Sequence, residues 1–210
     1  MKPDPITEAA AAARRGELIV LPTDTVYGIG TSPGVAGATE RLFEAKVRSR
    51  EVALPVLVRS VTDAERLARV DDRAAILAAA CWPGALTIVL PRTEGSRSWD
   101  LGGDPATIGL RVPAHPLTAA VLAGSGPLAM TSANRSGTPP LTTCADLQAT
   151  FGDLVAIYLC DERPLEGASS TVIDLAHGDV RVLRQGGVGL DTLRRLLPRE
   201  GPLLDSRPSS

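Results

Sequence analysis

Four basic residues occupy positions from which they could bind an anion together: Lys46, Arg48, Arg111 and Arg184. Lys46 and Arg48 come at the end of a helix predicted over 37–47. Arg111 lies within an apolar strand, where a buried guanidinium requires a partner or a ligand. Each residue also has an ordinary alternative, because basic side chains at a helix end offset the helix dipole. Considered together, the four indicate a site for phosphate or carboxylate groups.

Hydroxyl and amide side chains cluster where predicted strands begin or end. One cluster spans 22–28 (PTDTVYG), a second spans 131–137 (TSANRSG) and a third spans 167–171 (GASST). Loops at strand ends are where α/β folds place their ligands. Each cluster could also be a tight turn, in which Asp24, for example, only accepts local backbone amides. Their convergence with the four cations would suit a ligand that carries both phosphate and carboxylate groups.

The chain lacks the common signatures of nucleotide binding and hydrolysis. It has no GxxxxGK[ST] loop and no GxSxG turn, and Gly28 and Gly30 are not followed by the third glycine of GxGxxG. Its two histidines, His115 and His177, are interpreted as surface residues, one between prolines and one in a hairpin turn. The chemistry is therefore expected to depend on positioning and charge neutralisation rather than on a histidine base.

The predicted elements mix strands and helices without strict alternation. Strands are predicted over 18–21, 54–58, 86–90, 107–112, 128–130, 155–159, 170–175 and 180–183. Helices are predicted over 6–15, 37–47, 72–80, 116–123, 146–151 and 190–197, and 95–103 is predicted to be an exposed loop. This pattern predicts an α/β fold with a twisted, mixed β-sheet flanked by helices. We expect one domain over 1–200 and a flexible C-terminal tail over 201–210.

Composition excludes several classes of protein. The net charge is −2 and aromatic residues make up 3% of the chain, which argues against a nucleic-acid-coating surface or a base-stacking platform. The three cysteines, Cys81, Cys144 and Cys160, lack metal-site spacing and are expected to be reduced thiols. No apolar run approaches the ~20 residues needed to span a bilayer. A soluble, cytoplasmic protein without a membrane anchor is the expectation.

Seven segments in fixed order resemble the YrdC-like family of threonylcarbamoyl-AMP synthases. They are LPTDTVYGIG (21–30), FEAKVR (43–48), CWPGALTIVL (81–90), IGLRVP (108–113), TSANRSG (131–137), SSTVID (169–174) and VLRQGG (182–187). The resemblance runs from about residue 6 to 197. It implies a short, single-domain member with a YrdC-like fold, whose twisted sheet and flanking helices surround a deep, basic cavity.

The resemblance also implies a reaction. Members of this family condense L-threonine, bicarbonate and ATP to threonylcarbamoyl-AMP and pyrophosphate, which makes them nucleotidyltransferases. The product supplies N6-threonylcarbamoyladenosine at position 37 of tRNA through a downstream tRNA threonylcarbamoyl-transferase complex. Mg²⁺ would accompany the triphosphate of ATP, and no metal site made of protein ligands is expected.

Roles for individual residues follow from the resemblance alone. The catalytic residues would be Lys46 and Arg48, which would hold the phosphates and the carboxylated intermediate. The residues that would contact threonine are Thr25, Arg111 and Ser170. The residues that would bind ATP are Arg48, Thr107, Ser132, Asn134 and Arg184.

The chain departs from the family pattern at three positions. Ser49 and Ala53 stand where prolines are usual, and Leu57 lies near the position of a histidine in several members. Two other functions remain open. One is a YciO-like paralogue with the same cavity and another substrate, and the other is an RNA-binding module of this fold, with weak binding of tRNA or double-stranded RNA. The Lys46/Arg48 and Ser132/Asn134 pairs favour the synthase.

Overall fold

The strands of the protein form one mixed sheet. A computed structural model describes residues 4–161 and 164–197 together with the backbone of Leu204–Asp205. Within these ranges the strands are Leu18–Leu21 (β1), Gly28–Thr31 (β2), Val56–Leu57 (β3), Leu86–Pro91 (β4), Thr107–Arg111 (β5), Leu128–Ser132 (β6), Val155–Tyr158 (β7), Thr171–Asp174 (β8), Arg181–Arg184 (β9) and Leu204–Asp205 (β10). Their order in the sheet is β10-β9-β8-β4-β5-β3-β6-β2-β1-β7. The predicted α/β class with a mixed sheet is confirmed.

Helices flank this sheet, and four of them are preceded by a residue whose side chain accepts a backbone hydrogen bond. They are Pro5–Arg14 (α1), Ala38–Lys46 (α2), Val61–Leu67 (α3), Asp72–Cys81 (α4), Glu94–Arg97 (α5), Pro116–Ser125 (α6), Cys144–Phe151 (α7) and Leu190–Leu196 (α8). Asp71 caps α4, because its carboxylate accepts from the amide of Ala74 at 2.9 Å. Thr143 caps α7 in the same way through the amide of Asp146. These caps satisfy amides that would otherwise lack partners.

The two faces of the sheet are covered unequally. Leu86, Ile88 and Leu90 of β4 point into the main hydrophobic core, whereas Thr87 and Val89 line a cavity on the opposite face. Strand residues alternate between faces, so this division follows from the sequence of β4. A second core lies beneath α1 and α6 at the β1–β2–β6 half of the sheet. Leu57 and Met130 belong to that core and also line the cavity, which places the cavity on the same face, where the α1/α6 layer ends.

The elements that the sequence did not predict include strand β2 and helix α3. No strand is predicted at 28–31, but β2 pairs with β1 on one side and β6 on the other. Its glycines have low strand propensity, so the sequence does not indicate a strand. A Cβ at Gly30 would lie 2.5 Å from the carbonyl oxygen of Ala129, so glycine is needed for the close approach of the two strands. Helix α3 is not predicted either, because its seven residues contain only two that are buried, Ala64 and Leu67, and so lack a strong apolar stripe. Close backbone approach and tertiary packing, rather than propensity, account for both elements.

The segment 95–103 is less exposed than predicted. It includes part of the short helix α5, and Ser96 and Leu101 within it are fully buried. Ser96 donates to the carbonyl of Leu67 at 2.7 Å, which ties the segment to the end of α3. The prediction of an exposed loop was therefore wrong at these positions. A polar sequence can still be buried when its polar atoms find partners.

The prediction of three reduced cysteines was wrong for two of them. Cys144 and Cys160 form a disulfide, with Cα atoms 5.8 Å apart. Cys144 begins α7 and Cys160 follows β7, so the fold brings together two residues separated by 16 positions. Spacing in the sequence contains no signal for this approach. Cys81 is a half-buried free thiol, and burial raises its pKa.

Two further expectations concern the ends and the environment of the chain. Within the described residues, no helix is both long and apolar enough to cross a bilayer. The tail predicted over 201–210 lies outside the described residues, except for the backbone of Leu204–Asp205, which pairs in parallel with β9. The boundary near residue 200 stays a prediction.

Candidate functional site

A cavity of about 710 Å³ opens on the part of the sheet face that α1 and α6 leave uncovered. This volume lies within the range of small-molecule sites. Alternate residues of β5, namely Thr107, Gly109 and Arg111, form part of its floor. Its other walls come from the loop 48–55, from β6, and from the segment that enters β8. The cavity therefore gathers the strand ends that the sequence marked with polar residues.

Seven of the nine predicted site residues line this cavity. They are Thr25, Arg48, Thr107, Arg111, Ser132, Ser170 and Arg184. Lys46 and Asn134 are absent from its lining. The structure thus brings most of the predicted site together, while it separates two residues from the surface that a ligand would contact.

Of the four arginines that line the cavity, Arg111 and Arg181 lie within 4 Å of a carboxylate, whereas Arg48 and Arg184 have no such pair among the described residues. Burial lowers the pKa of Arg48, and the nearby charge of Arg184 lowers it further. Burial also lowers the pKa of Arg184. Among the described residues, neither guanidinium forms an ion pair with a carboxylate; both bind neutral oxygen atoms instead. Two neighbouring cations without an anionic partner are suited to an anionic ligand.

Local hydrogen bonds fix the direction of each guanidinium. Arg48 donates from Nε to the carbonyl of Val52 at 3.0 Å and from a terminal nitrogen to that of Ala53 at 3.1 Å. Arg184 donates from Nε to the carbonyl of Ser170 and from a terminal nitrogen to its Oγ, at 3.0 and 3.1 Å. Each side chain retains donors that these contacts do not use, because a guanidinium has five N–H groups.

Arg111 has a partner within the protein. The side chain is 6% exposed, and it donates to Asp24 Oδ1 at 2.7 Å. It also donates to the carbonyl of Gly84 and to Thr25 Oγ1, at 2.9 and 3.0 Å. Asp24 additionally accepts from the amide of Ala114 at 2.9 Å, so its carboxylate does more than close a local turn. The buried charge that the sequence left unexplained is thus compensated by Asp24.

Thr25 has limited capacity left for a ligand. Thr23 Oγ1 donates to the carbonyl of Val26 at 2.5 Å and lies 2.9 Å from Thr25 Oγ1. Because the Thr23 hydrogen is committed, Thr25 is the donor in the hydroxyl pair, and it accepts from Arg111. A hydroxyl has one donor and two acceptor positions. The Thr25 hydroxyl can therefore accept one further hydrogen bond, from an amine or a hydroxyl group.

Lys46 lies in the interior rather than at the cavity surface. It is 1% exposed, and its ammonium donates to the carbonyls of Ser132 and Asn134 and to Asn134 Oδ1. Three acceptors match the three donors of an ammonium group. Burial, reinforced by the charge of Arg48, lowers the pKa of Lys46 to about 7. Lys46 consequently holds the end of β6, where Ser132 lies, and the turn that follows it.

Asn134 is also used within the protein. Its amide nitrogen donates to the carbonyls of Arg135 and Thr138, at 2.9 and 2.5 Å, while its oxygen accepts from Lys46. The side chain therefore shapes the turn after β6. The family resemblance implied that Lys46 and Asn134 contact the ligand, whereas in the structure the two side chains bind each other and neither lines the cavity.

The loop that carries Arg48 is anchored by Arg50, which was not predicted. The Arg50 guanidinium forms ion pairs with Glu40 and Asp100 and lies 4.9 Å from the centre of the Phe43 ring. Its carbonyl accepts from the amide of Gly103 at 2.7 Å. The basic run 46–50 thus divides into an interior anchor, a cavity cation and a surface anchor. The three basic side chains point in different directions, and this difference, which the sequence does not show, places them in three environments.

Carboxylates also reach the cavity, at Glu51, Asp104 and Asp174. Asp104 and Asp174 each lie within hydrogen-bonding distance of His177. In the part of the chain that the structure describes, no group of three or more histidine, cysteine, aspartate or glutamate residues is arranged to hold a metal ion. His177, interpreted from the sequence as a surface residue in a turn, is half-exposed but contributes to the cavity rim.

Comparison with known proteins gives consistent matches. The family model Sua5/YciO/YrdC, described as telomere recombination, matches residues 11–186. A protein of Mycobacterium tuberculosis strain H37Rv, named provisionally as a threonylcarbamoyl-AMP synthase, is 41% identical over 91% of this chain and 88% of its own length. The threonylcarbamoyl-AMP synthase of Pyrococcus abyssi is 35% identical over 90% of this chain and 56% of its own length.

Solved structures share the fold. The crystal structure of P. abyssi Sua5 in complex with L-threonine has a TM-score of 0.84 at 32% identity; the match covers 95% of this chain and 58% of that one. Escherichia coli YciO has a TM-score of 0.82 at 26% identity, over 90% of this chain and 92% of that one. This chain therefore spans a little over half of the P. abyssi protein and nearly all of YciO.

Proposed function

The chain belongs to the Sua5/YciO/YrdC family, and from that premise we propose that it is a threonylcarbamoyl-AMP synthase. It condenses L-threonine, bicarbonate and ATP, and it releases threonylcarbamoyl-AMP and pyrophosphate. The observation that carries this proposal is the pair Arg48 and Arg184, two cations in one cavity that pair with no carboxylate of the described residues 4–161 and 164–197. The threonine complex of a structural relative supports the choice of amino acid.

The anionic parts of the substrates bind at the cationic end of the cavity. Arg48 and Arg184 hold the phosphates of ATP with the N–H groups that their internal contacts leave available. Ser132 and Thr107 line the same cavity and are proposed to contact the nucleotide. These contacts neutralise charge on the triphosphate, which is the principal contribution a protein makes to nucleotidyl transfer.

Threonine binds where Thr25, Arg111 and Ser170 meet. Thr25 accepts a hydrogen bond from the ammonium or hydroxyl group of threonine, as its remaining acceptor position allows. Gly84, Thr25 and Asp24 each accept from one N–H group of Arg111, and its two remaining N–H groups are proposed to bind the carboxylate. Ser170 also orients Arg184, so threonine and ATP are positioned by adjoining residues.

Two bond-forming steps convert the substrates. The deprotonated amine of threonine attacks the carbon of bicarbonate or CO₂ to give a carbamate, and water leaves when bicarbonate is the donor. A carbamate oxygen then attacks the α-phosphorus of ATP, and pyrophosphate departs with the electrons of the broken P–O bond. The residues of the cavity hold both reactants in line, which replaces a bimolecular encounter by an oriented one.

Lys46 and Asn134 support this site without lining the cavity. We propose that they fix the loop after β6 so that Ser132 faces the cavity, rather than contacting substrate themselves. Mg²⁺ enters as part of the Mg·ATP substrate, held mainly by phosphates and water, as Mg²⁺ is in many nucleotide sites. Glu51 is a cavity carboxylate that these coordinated waters can contact.

The product has a defined fate in this proposal. Threonylcarbamoyl-AMP is a reactive mixed anhydride, and a separate tRNA threonylcarbamoyl-transferase complex uses it to modify adenosine 37 of tRNA. The chain's own role ends with the adenylate. Its net charge of −2 is consistent with an enzyme that releases a small-molecule product rather than one that binds RNA over a large surface.

Pyrophosphate release tests the proposal. The purified protein is incubated with Mg·ATP and bicarbonate, together with L-threonine, L-serine or no amino acid. We expect release that depends on L-threonine. Release that is independent of threonine, or no release, would contradict the synthase and favour a YciO-like paralogue with another substrate. Titration with tRNA at low and moderate salt tests the RNA-binding alternative, since binding through phosphates weakens steeply with salt.

A further inference from the structure

The rim of the cavity contains a histidine between two carboxylates. His177 Nδ1 lies 2.7 Å from Asp174 Oδ2, and its Nε2 lies 3.2 Å from Asp104 Oδ2. Asp174 ends β8, whereas Asp104 precedes β5, and both strands are neighbours of β4 in the sheet. The imidazole therefore joins two segments that are 70 residues apart in the chain.

Both contacts require the same protonation state. An ionised carboxylate can only accept, so each ring nitrogen must donate for both hydrogen bonds to form. Only the imidazolium has two N–H groups. Hydrogen bonds to Asp174 and Asp104 correspondingly raise the pKa of His177. Hydrogen bonds from the amide of Ala106 and from His177 lower the pKa of Asp104.

The bridge ends at a residue that faces the ligand. The carbonyl of Asp104 accepts from the amide of Thr107 at 3.2 Å and lies 3.4 Å from its hydroxyl, and Thr107 lines the cavity. On the other side, Asp174 is buried and also accepts from the amide of Ala176 at 2.8 Å. The bridge thus connects a rigid point at the end of β8 to the segment that positions Thr107.

The other charged groups around His177 are few and identifiable. On the hairpin itself, Asp179 and Arg181 lie 3.9 Å apart. From α4, Arg73 donates to the carbonyls of Leu175 and Gly178, which hold the turn. From the end of β4, the charge of Arg92 acts on Asp104. Among these side-chain types, imidazole is the one whose ordinary pKa lies close to neutral pH, so His177 is the candidate for a change of charge there.

We propose that His177 is a positioning residue of the synthase: as an imidazolium it bridges Asp104 and Asp174 and thereby holds Thr107 in place for the nucleotide. This role rests on the proposed function, because it concerns the nucleotide end of the same cavity. Loss of the proton as pH rises removes one of the two donors. The segment before β5 then loses its tie to β8, and the affinity for Mg·ATP falls.

The test measures Mg·ATP binding rather than turnover. Equilibrium dissociation constants are determined from pH 6 to pH 9 for the wild type, His177→Gln and Asp104→Asn. Since ATP itself takes up protons in this range, the quantity compared is the ratio of variant to wild-type Kd at each pH. The two histidines of the chain give two sets of imidazole NMR signals, and His177→Gln identifies those of His177.

We expect three results. At the low end of the range both variants bind Mg·ATP about two- to fivefold more weakly than the wild type, the effect of losing one partly exposed charge contact. The ratio approaches one as the wild type passes through the NMR-determined pKa of His177. In Asp104→Asn, that pKa shifts downward. The matched control is Asp179→Asn, which removes a carboxylate from the same hairpin without removing a contact to His177, and it should bind like the wild type.

Other outcomes would overturn the inference. A ratio near one at every pH, or a His177 pKa that Asp104→Asn leaves unchanged, shows that the bridge does not position the site. An equal loss in the Asp179→Asn control shows a general effect of charge. If the proposed synthase function is wrong, the result is different. Threonine-dependent pyrophosphate release is then absent, while Mg·ATP binding and the NMR titration remain measurable.

Discussion

Replacing Lys46 by methionine should destabilise the protein and disorder the loop that presents Ser132. The chain contains only two lysines, Lys2 and Lys46, beside its many arginines. Methionine has nearly the length of lysine, so little empty volume is created, but it cannot donate a hydrogen bond. The substitution leaves the carbonyl oxygen and the side-chain oxygen of Asn134 without their donor, whereas the carbonyl of Ser132 keeps the amide of Asn134 at 3.0 Å.

The magnitude follows from the two oxygens of Asn134 that lose their donor. Each buried acceptor left without a partner costs about 1–3 kcal/mol, and relief from burying a charge offsets part of the sum. We therefore expect a net loss of about 3 kcal/mol in the free energy of unfolding at neutral pH. For a chain of this size that corresponds to a decrease of roughly 6–12 °C in Tm.

The loss should increase with pH. The pKa of Lys46 is lowered to about 7 in the folded protein, whereas the unfolded chain retains the ordinary value of about 10.4. Between these values the unfolded chain holds more protons, so raising the pH stabilises the wild type, by at most about 1.4 kcal/mol per unit. The methionine variant lacks this gain. The difference in stability between the two proteins should widen from pH 7 to pH 9.

Denaturant unfolding at pH 7, 8 and 9 measures this difference, and Lys2→Met is the matched control. Lysine NMR titration measures the Lys46 pKa directly, because only one other lysine contributes a side-chain signal. A Lys46→Met variant as stable as the wild type, with normal pyrophosphate release, would refute the interior role of Lys46. A normal Tm with abolished ATP binding would instead place Lys46 against the phosphates, as the family resemblance implied.

Three other substitutions test the geometry of the site. Val47 ends α2 in the left-handed region, at φ 52°, with its side chain 70% exposed, so Val47→Gly should raise the free energy of unfolding by about 1 kcal/mol. Gly167→Ala should abolish threonine binding, measured by calorimetry, because a Cβ there would lie 1.8 Å from the carbonyl oxygen of Thr25. Cys144→Ser opens the disulfide and should cost about 3 kcal/mol in denaturant unfolding, since it frees a loop of this length in the unfolded chain.

Each of these has a control and a contradicting result. Val52→Gly, at an exposed position without positive φ, should be destabilising, and a gain there would contradict the explanation from backbone conformation. Gly189→Ala, where no atom lies within 4 Å of the added Cβ and φ is −72°, should retain threonine binding. Cys81→Ser should have a smaller effect than Cys144→Ser; equal losses would show that the disulfide contributes nothing.

The sequence predicts the sheet where strands are apolar and fails where packing decides. The runs at 18–21 and 86–90 are long and apolar enough to identify β1 and β4. Gly28–Thr31 carries little apolar surface, and it is a strand because β1 and β6 supply partners on both sides. Propensity is a weak guide at such a position, since glycine there serves close backbone approach.

The sequence predicted most of the residues that line the cavity, but not the direction in which each side chain points. Residue type and order identified Arg48, Arg111 and Arg184 as cations of one cavity. The sequence could not reveal that Asp24 compensates Arg111, because the two are 87 positions apart. Nor could it show that Lys46 points inward while its neighbour two positions later points to the cavity, a division set by the left-handed turn at Val47.

Direct detection of threonylcarbamoyl-AMP tests the proposed synthase in the proposed site. The protein is incubated with L-threonine, bicarbonate and Mg·ATP, and the adenylate is identified by mass spectrometry for the wild type, Arg184→Met and Arg194→Met. Arg194 is an exposed residue of α8 paired with Asp191, so its variant controls for loss of one positive charge. We predict the adenylate with the wild type and Arg194→Met and a loss of product of at least about 100-fold with Arg184→Met, comparable to removing one charge-stabilising donor. Wild-type amounts of product from Arg184→Met, or no adenylate from the wild type, would contradict this function for the cavity.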